Sequence, residues 1–308
     1  MEDQRILPPR LTPGDAISLV APASTAKPTD IQAAIASLKD ADYVVKQYRD
    51  LGQTERYLCG SDAVRADELN EAFSDEETTA VLAVRGGYGV SRLLDAIDYD
   101  AICERPKVFV GYSDMTALHV AIDQRVGMVT YHGPNAIDGL RGNGRLDSES
   151  IESYWQAVTE TPTSGIPLFG GSIRQFESLA GGVGEGRLIG GNLAVFAGLL
   201  GTPFQPDTAG RVLFLEDIDE APHRIDRMLC QMRLAGMLSQ VTAVLLGDFS
   251  DCDDDRSAAR EVLLDYFGGL GVPVLAGCPF GHAMPNHTLP HGALVRVDAT
   301  SNAVELLE

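Results

Sequence analysis

A serine between a predicted strand and a predicted helix is the first residue whose surroundings suggest chemistry. In "KVFVGYSDMTALHVAI", residues 107–122, a β-branched run ends at Gly111 and an apolar pattern of helical period follows. Ser113 lies in the turn between the two. A hydroxyl in such a turn can act as a nucleophile beside helix N–H groups that stabilise an oxyanion. The alternative is that Ser113 or Asp114 only caps the helix.

A carboxylate stands at the end of another predicted strand. In "VLFLEDIDEAPHRIDRML", Glu216 follows four apolar residues, so we expect its side chain to project from the strand terminus. A carboxylate there can orient an imidazole. The alternative is a structural ion pair with Arg224 or Arg227. The neighbouring Asp217 is expected, with the acids that follow it, to cap the helix that begins after Pro222.

Three histidines follow in "FGHAMPNHTLPH", namely His282, His287 and His291. Their spacing invites comparison with a zinc site. However, no H-E-x-x-H motif occurs, and Pro285 and Pro290 break any helix that would place the histidines on one face. We therefore expect no metal. The other functional option is that one histidine is a general base, while the rest have structural roles.

The segment "VRGGYGV", residues 84–90, is a glycine-rich turn after a predicted strand. The dinucleotide-binding pattern G-x-G-x-x-G fails because Arg92 occupies the third glycine position. The segment is either a tight turn only or a source of backbone N–H groups for a developing negative charge. The α/β-hydrolase pattern G-x-S-x-G also fails, because Met115 occupies its last position, and this disfavours that fold.

Taken together, these segments contain the three residue types that serine hydrolases need. The base removes the hydroxyl proton, and the acid fixes the tautomer of the base and stabilises its protonated form. Ser113, Glu216 and His282 occur in that order along the chain.

In the first half of the chain, predicted strands alternate with predicted helices. This alternation predicts an α/β domain with a parallel sheet, in which sites gather at the carboxyl ends of the strands. Among its helices, one is expected to be capped by Thr29 or Asp30 and the next by Ser61.

The second half of the chain begins after a segment rich in Pro, Gly, Ser and Thr. We predict a linker at residues 161–175, between an N-terminal domain at residues 1–160 and a C-terminal domain at residues 176–308. The final segment, "ALVRVDATSNAVELL", alternates apolar and polar residues around a Ser-Asn turn and predicts a β-hairpin. The acidic run at residues 251–255 is expected to be a solvated loop.

Composition narrows the class of protein. The 308 residues are 44% hydrophobic, enough for a sizeable core, and the net charge of −20 argues against nucleic-acid binding. No apolar run approaches the roughly 18 residues of a membrane-spanning helix. The N-terminus lacks the features of a signal peptide. The five cysteines are widely spaced without a C-x-x-C motif, which is typical of reduced thiols in a cytosol.

The sequence resembles the LD-carboxypeptidase family, which includes muramoyl-tetrapeptide carboxypeptidases and microcin-immunity hydrolases. The similarity extends from about Leu11 to the final hairpin. Eight motifs occur in the family's order: "PGDAISLVAPAS", "AVRGGYG", "GYSDMTALH", "GGNL", "LFLEDIDEAPHRIDRML", "LGDF", "FGH" and "LPHGA". The resemblance implies an α/β protein outside the α/β-hydrolase fold, with a parallel-sheet N-terminal domain and a β-rich α/β C-terminal domain.

The resemblance also implies roles for individual residues. Ser113 of "GYSD" would be the nucleophile, Glu216 of "FLED" the acid and His282 of "FGH" the base. Backbone N–H groups of Gly87 and Asp114 would form the oxyanion hole.

Two further residues are candidates for substrate binding. Asn192 of "GGNL" would line the pocket by the same resemblance. Arg85 adjoins the glycine turn, so it is a candidate for binding the terminal carboxylate, or else it forms a structural pair.

The implied activity is hydrolysis of the L,D amide bond that releases terminal D-alanine from murein tetrapeptide, in cytoplasmic cell-wall recycling. We expect no cofactor, no metal, no nucleic-acid or membrane partner, and a homodimer. The alternative within the family is a microcin-immunity-like hydrolase of peptidyl- or aminoacyl-nucleotides, for which Trp155 is the one tryptophan available to stack on a base. A metal-dependent hydrolase and an inactive binding module are the alternatives from other classes.

Overall fold

Short parallel strands of almost uninterrupted apolar residues form the centre of the first half of the protein. The computed structural model describes residues 5–140, 144–170, 172, 176–252 and 257–308. The chain divides into two compact units, residues 1–161 and 162–308. Of the acidic run expected to be a solvated loop, residues 253–255 lie outside the described ranges, as do residues 171 and 173–175 of the expected linker.

The first unit alternates strands and helices along the chain. The elements are β1 (Ala16–Val20), α1 (Pro28–Asp40), β2 (Val44–Lys46), α2 (Asp62–Ser74), β3 (Ala80–Ala83), α3 (Tyr99–Glu104), β4 (Val108–Gly111), α4 (Thr116–Arg125), β5 (Thr130–His132) and α5 (Ser148–Thr159). The strands lie in the order β5-β4-β3-β1-β2, and every neighbouring pair is parallel. The inner strands β1, β3 and β4 are buried because helices cover the sheet, and this explains their almost continuous apolar sequences.

Two predictions concern the residues that cap helices α1 and α2 of this unit. Ser61 caps α2 as predicted, since its side chain accepts a hydrogen bond from the N–H of Val64. The prediction for α1 is wrong, because the helix begins at Pro28 and Lys27 is its N-cap. Proline is favoured at the first helical position, where its missing N–H costs nothing, so Thr29 and Asp30 lie inside the first turn.

The second unit is built on a mixed sheet of seven strands. The elements of this unit are β6 (Glu177–Ala180), β7 (Val183–Asn192), α6 (Leu193–Gly198), β8 (Arg211–Ile218), α7 (Pro222–Leu234), β9 (Ala243–Ser250), α8 (Ser257–Phe267), β10 (Val274–Ala276), β11 (Leu289–His291), β12 (Leu294–Asp298) and β13 (Ala303–Leu306). The strands of the sheet lie in the order β13-β12-β7-β8-β9-β10-β6. Strands β7, β8, β9 and β10 are parallel neighbours, and antiparallel strands extend the sheet on both sides.

The edge of this sheet confirms the predicted C-terminal hairpin. Val295 pairs with Leu306 and Asp298 with Ala303 across the antiparallel β12–β13 ladder. Part of the segment expected to be a linker also contributes to this unit: Leu168 donates its N–H to the carbonyl of Val304, and Phe169 packs in the core under the sheet.

The two units confirm the predicted fold class, a parallel-sheet α/β domain followed by a β-rich α/β domain. Among the helices of the described residues, none combines the length and the apolar character that crossing a membrane requires.

Candidate active site

Ser113 lies in a strained turn between β4 and α4. Its backbone has φ +65°, a left-handed conformation that non-glycine residues rarely adopt. The residue begins a single 3₁₀ turn, Ser113–Met115, that leads into α4, and its side chain is half-buried. Such strain persists where the surrounding structure enforces it, and it is concentrated at functional sites.

Neither helical start after Ser113 uses a side-chain cap, so the helix-cap prediction is wrong. The N-cap residues are Tyr112 for the 3₁₀ turn and Met115 for α4, and neither makes a side-chain capping bond. Instead, Oδ2 of Asp114 accepts a hydrogen bond of 2.8 Å from the N–H of Val90. The carboxylate therefore ties the serine turn to the loop that follows β3.

The glycine loop after β3 contacts the serine directly. A Cβ atom built on Gly86 would lie 2.8 Å from Cβ and 3.0 Å from Oγ of Ser113. At Gly87, φ is +124° and a Cβ atom would lie 2.3 Å from Oγ of Ser24. A side chain at either position would displace its neighbour, and this explains why two glycines stand here.

Two backbone N–H groups beside the serine have no acceptor among the described residues. They belong to Gly87, in the glycine loop, and to Asp114, in the 3₁₀ turn. The first N–H groups of a helix are left without intrahelical partners and attract negative charge. Both groups predicted to form an oxyanion hole are therefore available as donors within the first unit.

A fully buried arginine, Arg65, is hydrogen-bonded to the glycine loop, and no sequence pattern predicted this contact. The guanidinium of Arg65 donates to the carbonyl of Gly89 at 3.0 Å, to that of Pro22 and to the carboxylate of Asp62. Asp114 is also buried, and desolvation raises the pKa of its carboxyl to about 6, although the Val90 hydrogen bond and the charge of Arg65 oppose the shift. Arg65 lies on the buried side of α2, where helical periodicity predicts an apolar residue.

His119 supports the strand that leads to Ser113. Its Nε2 lies 2.8 Å from the carbonyl oxygen of Gly111, the last residue of β4, and its Nδ1 lies 2.7 Å from Oγ1 of Thr130. Complete burial lowers the pKa of this imidazole to about 4. The neutral ring therefore donates from Nε2 and accepts at Nδ1, which fixes the end of β4 in place.

In the second unit, Glu216 and His282 form a hydrogen-bonded pair. Nδ1 of His282 lies 2.6 Å from Oε2 of Glu216, and Glu216 is fully buried. The imidazole is 13% exposed. The alternative for Glu216, an ion pair with Arg224 or Arg227, is wrong, because Arg224 instead pairs with Glu220 at 3.6 Å.

A glycine and a bulge make this pair possible. Gly281 has φ +109°, and a Cβ atom on it would lie 2.8 Å from both Cβ and Oε2 of Glu216.

Strand β9 has a β-bulge opposite Leu215–Asp217 of β8. Leu215 pairs with Leu246 and Asp217 with Phe249, so β9 contains one residue more than β8 over this stretch. A Cβ atom on Gly247, inside that bulge, would lie 2.6 Å from both the ring and the carbonyl oxygen of Phe280. The loop before His282 thus crosses the end of the sheet close to the glutamate.

Asn192 ends the strand beside Glu216, with which it is in register. Its side chain is buried and accepts from the N–H of Val195, capping α6, while its Nδ2 donates to Oδ1 of Asp217 at 2.8 Å. Asp217 also accepts from the N–H of Ala194. The prediction that Asp217 caps the helix after Pro222 is wrong, because Asp217 binds the start of α6 instead.

Burial gives Asp217 an unusual acidity. Desolvation, and then the charge of the adjacent Glu216, raise the pKa of its carboxyl to about 7, against three stabilising hydrogen bonds. The chain therefore keeps two neighbouring acids at one strand end, and only Glu216 points to the histidine.

Arg85 is anchored by backbone carbonyls rather than by an acid. It donates from Nε to the carbonyl of Gly86 and from Nη1 to that of Thr25, both at 3.2 Å. No carboxylate of the described residues lies within ion-pair distance of it. The structural ion pair considered from the sequence is therefore absent from this part of the chain, and the charge of Arg85 is not neutralised by a neighbour.

His287 and His291, the other two histidines of the segment "FGHAMPNHTLPH", pack against aromatic rings in the second unit. The ring of His287 lies edge-on to Phe169, and the ring of His291 lies edge-on to Phe214, with centroids 5.8 Å apart in both cases. Within the described ranges, no group of three or more His, Cys, Asp or Glu side chains is arranged to hold a metal ion.

The predicted site residues thus form two local groups. Ser113 is assembled with the glycine loop and the N–H groups of Gly87 and Asp114 in the first unit. Glu216 and His282 are assembled in the second unit, with Asn192 at the neighbouring strand end. Sequence reasoning missed Arg65 and Gly281 and assigned Asp217 to the wrong helix, because the roles of all three depend on contacts between distant segments.

Comparison with known proteins matches both halves of the chain to one family. The model of the LD-carboxypeptidase N-terminal domain matches residues 17–133, and that of the LD-carboxypeptidase C-terminal domain matches residues 185–297.

Relatives agree over nearly the whole chain. A probable murein peptide carboxypeptidase of Bacillus subtilis is 38% identical, over 93% of this chain and 89% of its own length. The microcin C7 self-immunity protein of Escherichia coli is 30% identical, over 83% of this chain and 82% of its own. The crystal structure of a muramoyltetrapeptide carboxypeptidase from Oxalobacter formigenes is 32% identical, with a TM-score of 0.80 over 94% of this chain and 97% of that one. The chain therefore belongs to the LD-carboxypeptidase family.

Proposed function

We propose that the protein is a serine-type LD-carboxypeptidase that releases the terminal D-alanine of murein tetrapeptide. The names of its relatives, a murein peptide carboxypeptidase and a muramoyltetrapeptide carboxypeptidase, support this substrate. The observation that carries the proposal is the 2.6 Å hydrogen bond between buried Glu216 and His282. A carboxylate that holds Nδ1 of a histidine is the arrangement that prepares Nε2 to act as a general base.

In the proposed reaction, Ser113 attacks the carbonyl carbon of the scissile L,D amide bond. His282 accepts the hydroxyl proton and then delivers it to the leaving nitrogen of D-alanine, so the C–N bond breaks and an acyl-enzyme remains. A water molecule, deprotonated by His282, then attacks the acyl carbon; the ester bond to Oγ of Ser113 breaks, the proton passes from His282 to Oγ, and the peptide leaves as a carboxylic acid. Glu216 fixes the tautomer of the imidazole and stabilises its protonated form.

The negative charge on the attacked carbonyl oxygen would be held by the N–H groups of Gly87 and Asp114. Their lack of an acceptor among the described residues supports this role. Such fixed donors need no reorganisation when the charge develops, and in other enzymes the removal of one donor raises the activation barrier by about 3 kcal/mol.

We further propose that Arg85 binds the terminal carboxylate of the substrate. Its two backbone hydrogen bonds are 3.2 Å long and use Nε and Nη1, which leaves Nη2 without a partner among the described residues. Arg85 adjoins Gly86, which contacts Ser113. A guanidinium is suited to a carboxylate because its N–H groups match the two oxygens.

For Asn192, binding of substrate stays a prediction. The contacts of its amide with Asp217 and with the start of α6 support a different contribution, in which Asn192 fixes the strand end next to Glu216.

The alternative, hydrolysis of aminoacyl-nucleotide compounds, is favoured by one relative. Solved structures of the microcin C7 self-immunity protein hold aspartyl sulfamoyl adenosine and glutamyl sulfamoyl guanosine. The tryptophan considered for base stacking does not support this activity here. Trp155 stacks on Tyr43 with centroids 5.2 Å apart and donates its indole N–H to the carbonyl of Leu140.

Three further expectations stay predictions of the family resemblance: a cytoplasmic location, a role in peptidoglycan recycling and a homodimer. Sedimentation equilibrium of the purified protein would test the last of these.

The function is tested by mass spectrometry of murein tetrapeptide incubated with the protein. We expect loss of one alanine residue from the carboxyl end, unaffected by EDTA. Preferential cleavage of aspartyl sulfamoyl adenosine would favour the alternative, and a loss of activity in EDTA that zinc restores would favour a metal-dependent hydrolase.

A further inference from the structure

Two exposed tyrosines lie together beside the glycine loop of the first unit. Tyr57 is 54% exposed and Tyr88 is 51% exposed. Their ring centroids are 5.7 Å apart, and their planes cross at 67°. Such edge-to-face pairs are stable, yet each ring still presents an apolar surface to solvent. We call Tyr57 and Tyr88 the tyrosine pair.

Both tyrosines are held on well-anchored backbone. Tyr57 is the third residue of a four-residue turn closed by reciprocal backbone hydrogen bonds between Glu55 and Leu58, at 2.9 and 3.0 Å. This turn packs on the glycine loop, because a Cβ atom on Gly89 would lie 2.6 Å from Leu58. The N–H of Tyr88 donates to Oγ of Ser24 at 3.2 Å. The pair is thus fixed before any ligand arrives, which lowers the entropic cost of binding.

The tyrosine pair lies within a few residues' reach of Ser113. Tyr88 is two positions beyond Gly86, so the Cα atoms of Gly86 and Tyr88 are at most about 7.6 Å apart. Gly86 in turn contacts Ser113. An extended peptide advances about 3.3–3.6 Å per residue. A peptide whose acyl group is bonded to Oγ of Ser113 can therefore reach the tyrosine pair with the residues that lie roughly two to four positions before the scissile bond.

A cation lies on the tyrosine pair. Cζ of exposed Arg56 is 5.9 Å from the centroid of the Tyr57 ring. No carboxylate of the described residues forms an ion pair with Arg56, whereas Arg92 nearby is neutralised by Asp62 at 2.5 Å. In a chain of net charge −20, an unpaired arginine on an exposed aromatic surface favours an anionic ligand.

We propose that the tyrosine pair and Arg56 form a subsite for the N-terminal part of a carboxylate-bearing peptide substrate. This inference rests on the proposed carboxypeptidase function. A carboxypeptidase that removes one residue has nothing further to bind on the leaving side, so a surface this far from Ser113 serves the acyl side. Apolar parts of the chain pack on the rings, and a side-chain or backbone carboxylate meets Arg56.

The test compares two substrates that share the scissile bond: murein tetrapeptide, and a dipeptide made of only its last two residues. We expect Tyr57→Ala to raise KM for the tetrapeptide about tenfold with little change in kcat, and to leave kcat/KM for the dipeptide unchanged. Tyr57→Phe should restore KM, because the ring is retained. Arg56→Ala should raise KM for the tetrapeptide but not for a tetrapeptide whose glutamyl carboxylate has been amidated.

Equal losses on both substrates, or no change on the tetrapeptide, would overturn the subsite. Calorimetric binding of the tetrapeptide to Ser113→Ala, with and without Tyr57→Ala, gives a second readout that does not need turnover. If the wild type releases no D-alanine, the proposed function fails. If it does, and the affinities of the two Ser113→Ala proteins are equal, only the subsite fails.

Discussion

Nδ1 of His282 lies 2.6 Å from Oε2 of Glu216, although 66 residues separate them in the chain. The contact depends on Gly281, whose missing side chain lets the loop before the histidine approach the glutamate. Because Glu216 is fully buried, water screens its charge little, and that charge acts on the imidazole as well as on Asp217. The pair gives the proposed reaction its base and explains why a glycine precedes the histidine.

Glu216→Gln should reduce kcat about 10²–10⁴-fold with a folded protein. The amide no longer stabilises a protonated imidazole, and it is free to hold the wrong tautomer. Steady-state kinetics of D-alanine release measure the effect. Glu185→Gln, which removes a half-exposed acid that pairs with Arg296, is the control and should leave kcat unchanged. A Glu216→Gln enzyme within threefold of wild type would show that this carboxylate has no catalytic role.

Gly86→Ala should lower kcat/KM by about 10²-fold. The added Cβ would lie 2.8 Å from Cβ of Ser113, so the nucleophile must shift, and a displacement of about 1 Å is costly in a preorganised site. Gly269→Ala is the matched control, because its Cβ would meet nothing within 4 Å. If both variants retain full activity, the glycine loop does not position the serine.

Arg85→Ala should raise KM more than tenfold and should abolish discrimination between a free terminal carboxylate and its amide. Wild type is expected to prefer the carboxylate strongly, because the partners of the guanidinium among the described residues are backbone carbonyls and not acids. Competition kinetics with the two peptides measure the preference. Unchanged discrimination in the variant would assign carboxylate recognition to another group.

His119 should make the protein less stable as the pH falls below neutrality. Burial lowers its pKa to about 4 in the folded protein, against 6.5 for an unperturbed histidine, so the unfolded chain binds more protons between these values. Folding therefore loses about 2 kcal/mol from this residue between pH 7 and pH 5. Urea unfolding of wild type and His119→Gln at both pH values isolates the contribution, since Asp114 and Asp217 are common to both proteins. A stability difference that does not change with pH would contradict it.

Much of the fold was predictable because it depends on local patterns. Continuous apolar strands alternating with helices indicated the parallel sheet, and the alternation around the final Ser-Asn turn indicated the hairpin. The serine also stands out locally, because a strand-to-helix turn is visible in the sequence. Its φ of +65° is not visible there, since that value depends on packing against the glycine loop.

The contacts that support the site depend on residues far apart in the chain. A charged residue such as Arg65 in a predicted helix is expected to face solvent, but Arg65 is fully buried and donates to the carbonyls of Gly89 and Pro22. Asp217 reads as an acid that caps the next helix but instead binds Asn192, which comes 25 residues earlier. Periodicity describes which face of an element is apolar and cannot reveal a buried charge that is satisfied by distant carbonyls or amides.

Ser113 is proposed to be the nucleophile that releases D-alanine. Mass spectrometry of murein tetrapeptide incubated with wild type, Ser113→Ala and Ser239→Ala measures whether the release depends on the hydroxyl of Ser113. Ser239 is the control because it lies at an exposed turn, where its hydroxyl donates to the carbonyl of Gly236. We expect D-alanine release by wild type and Ser239→Ala, and a rate about 10³–10⁶-fold lower for Ser113→Ala. Near-normal release by folded Ser113→Ala would show that another group is the nucleophile.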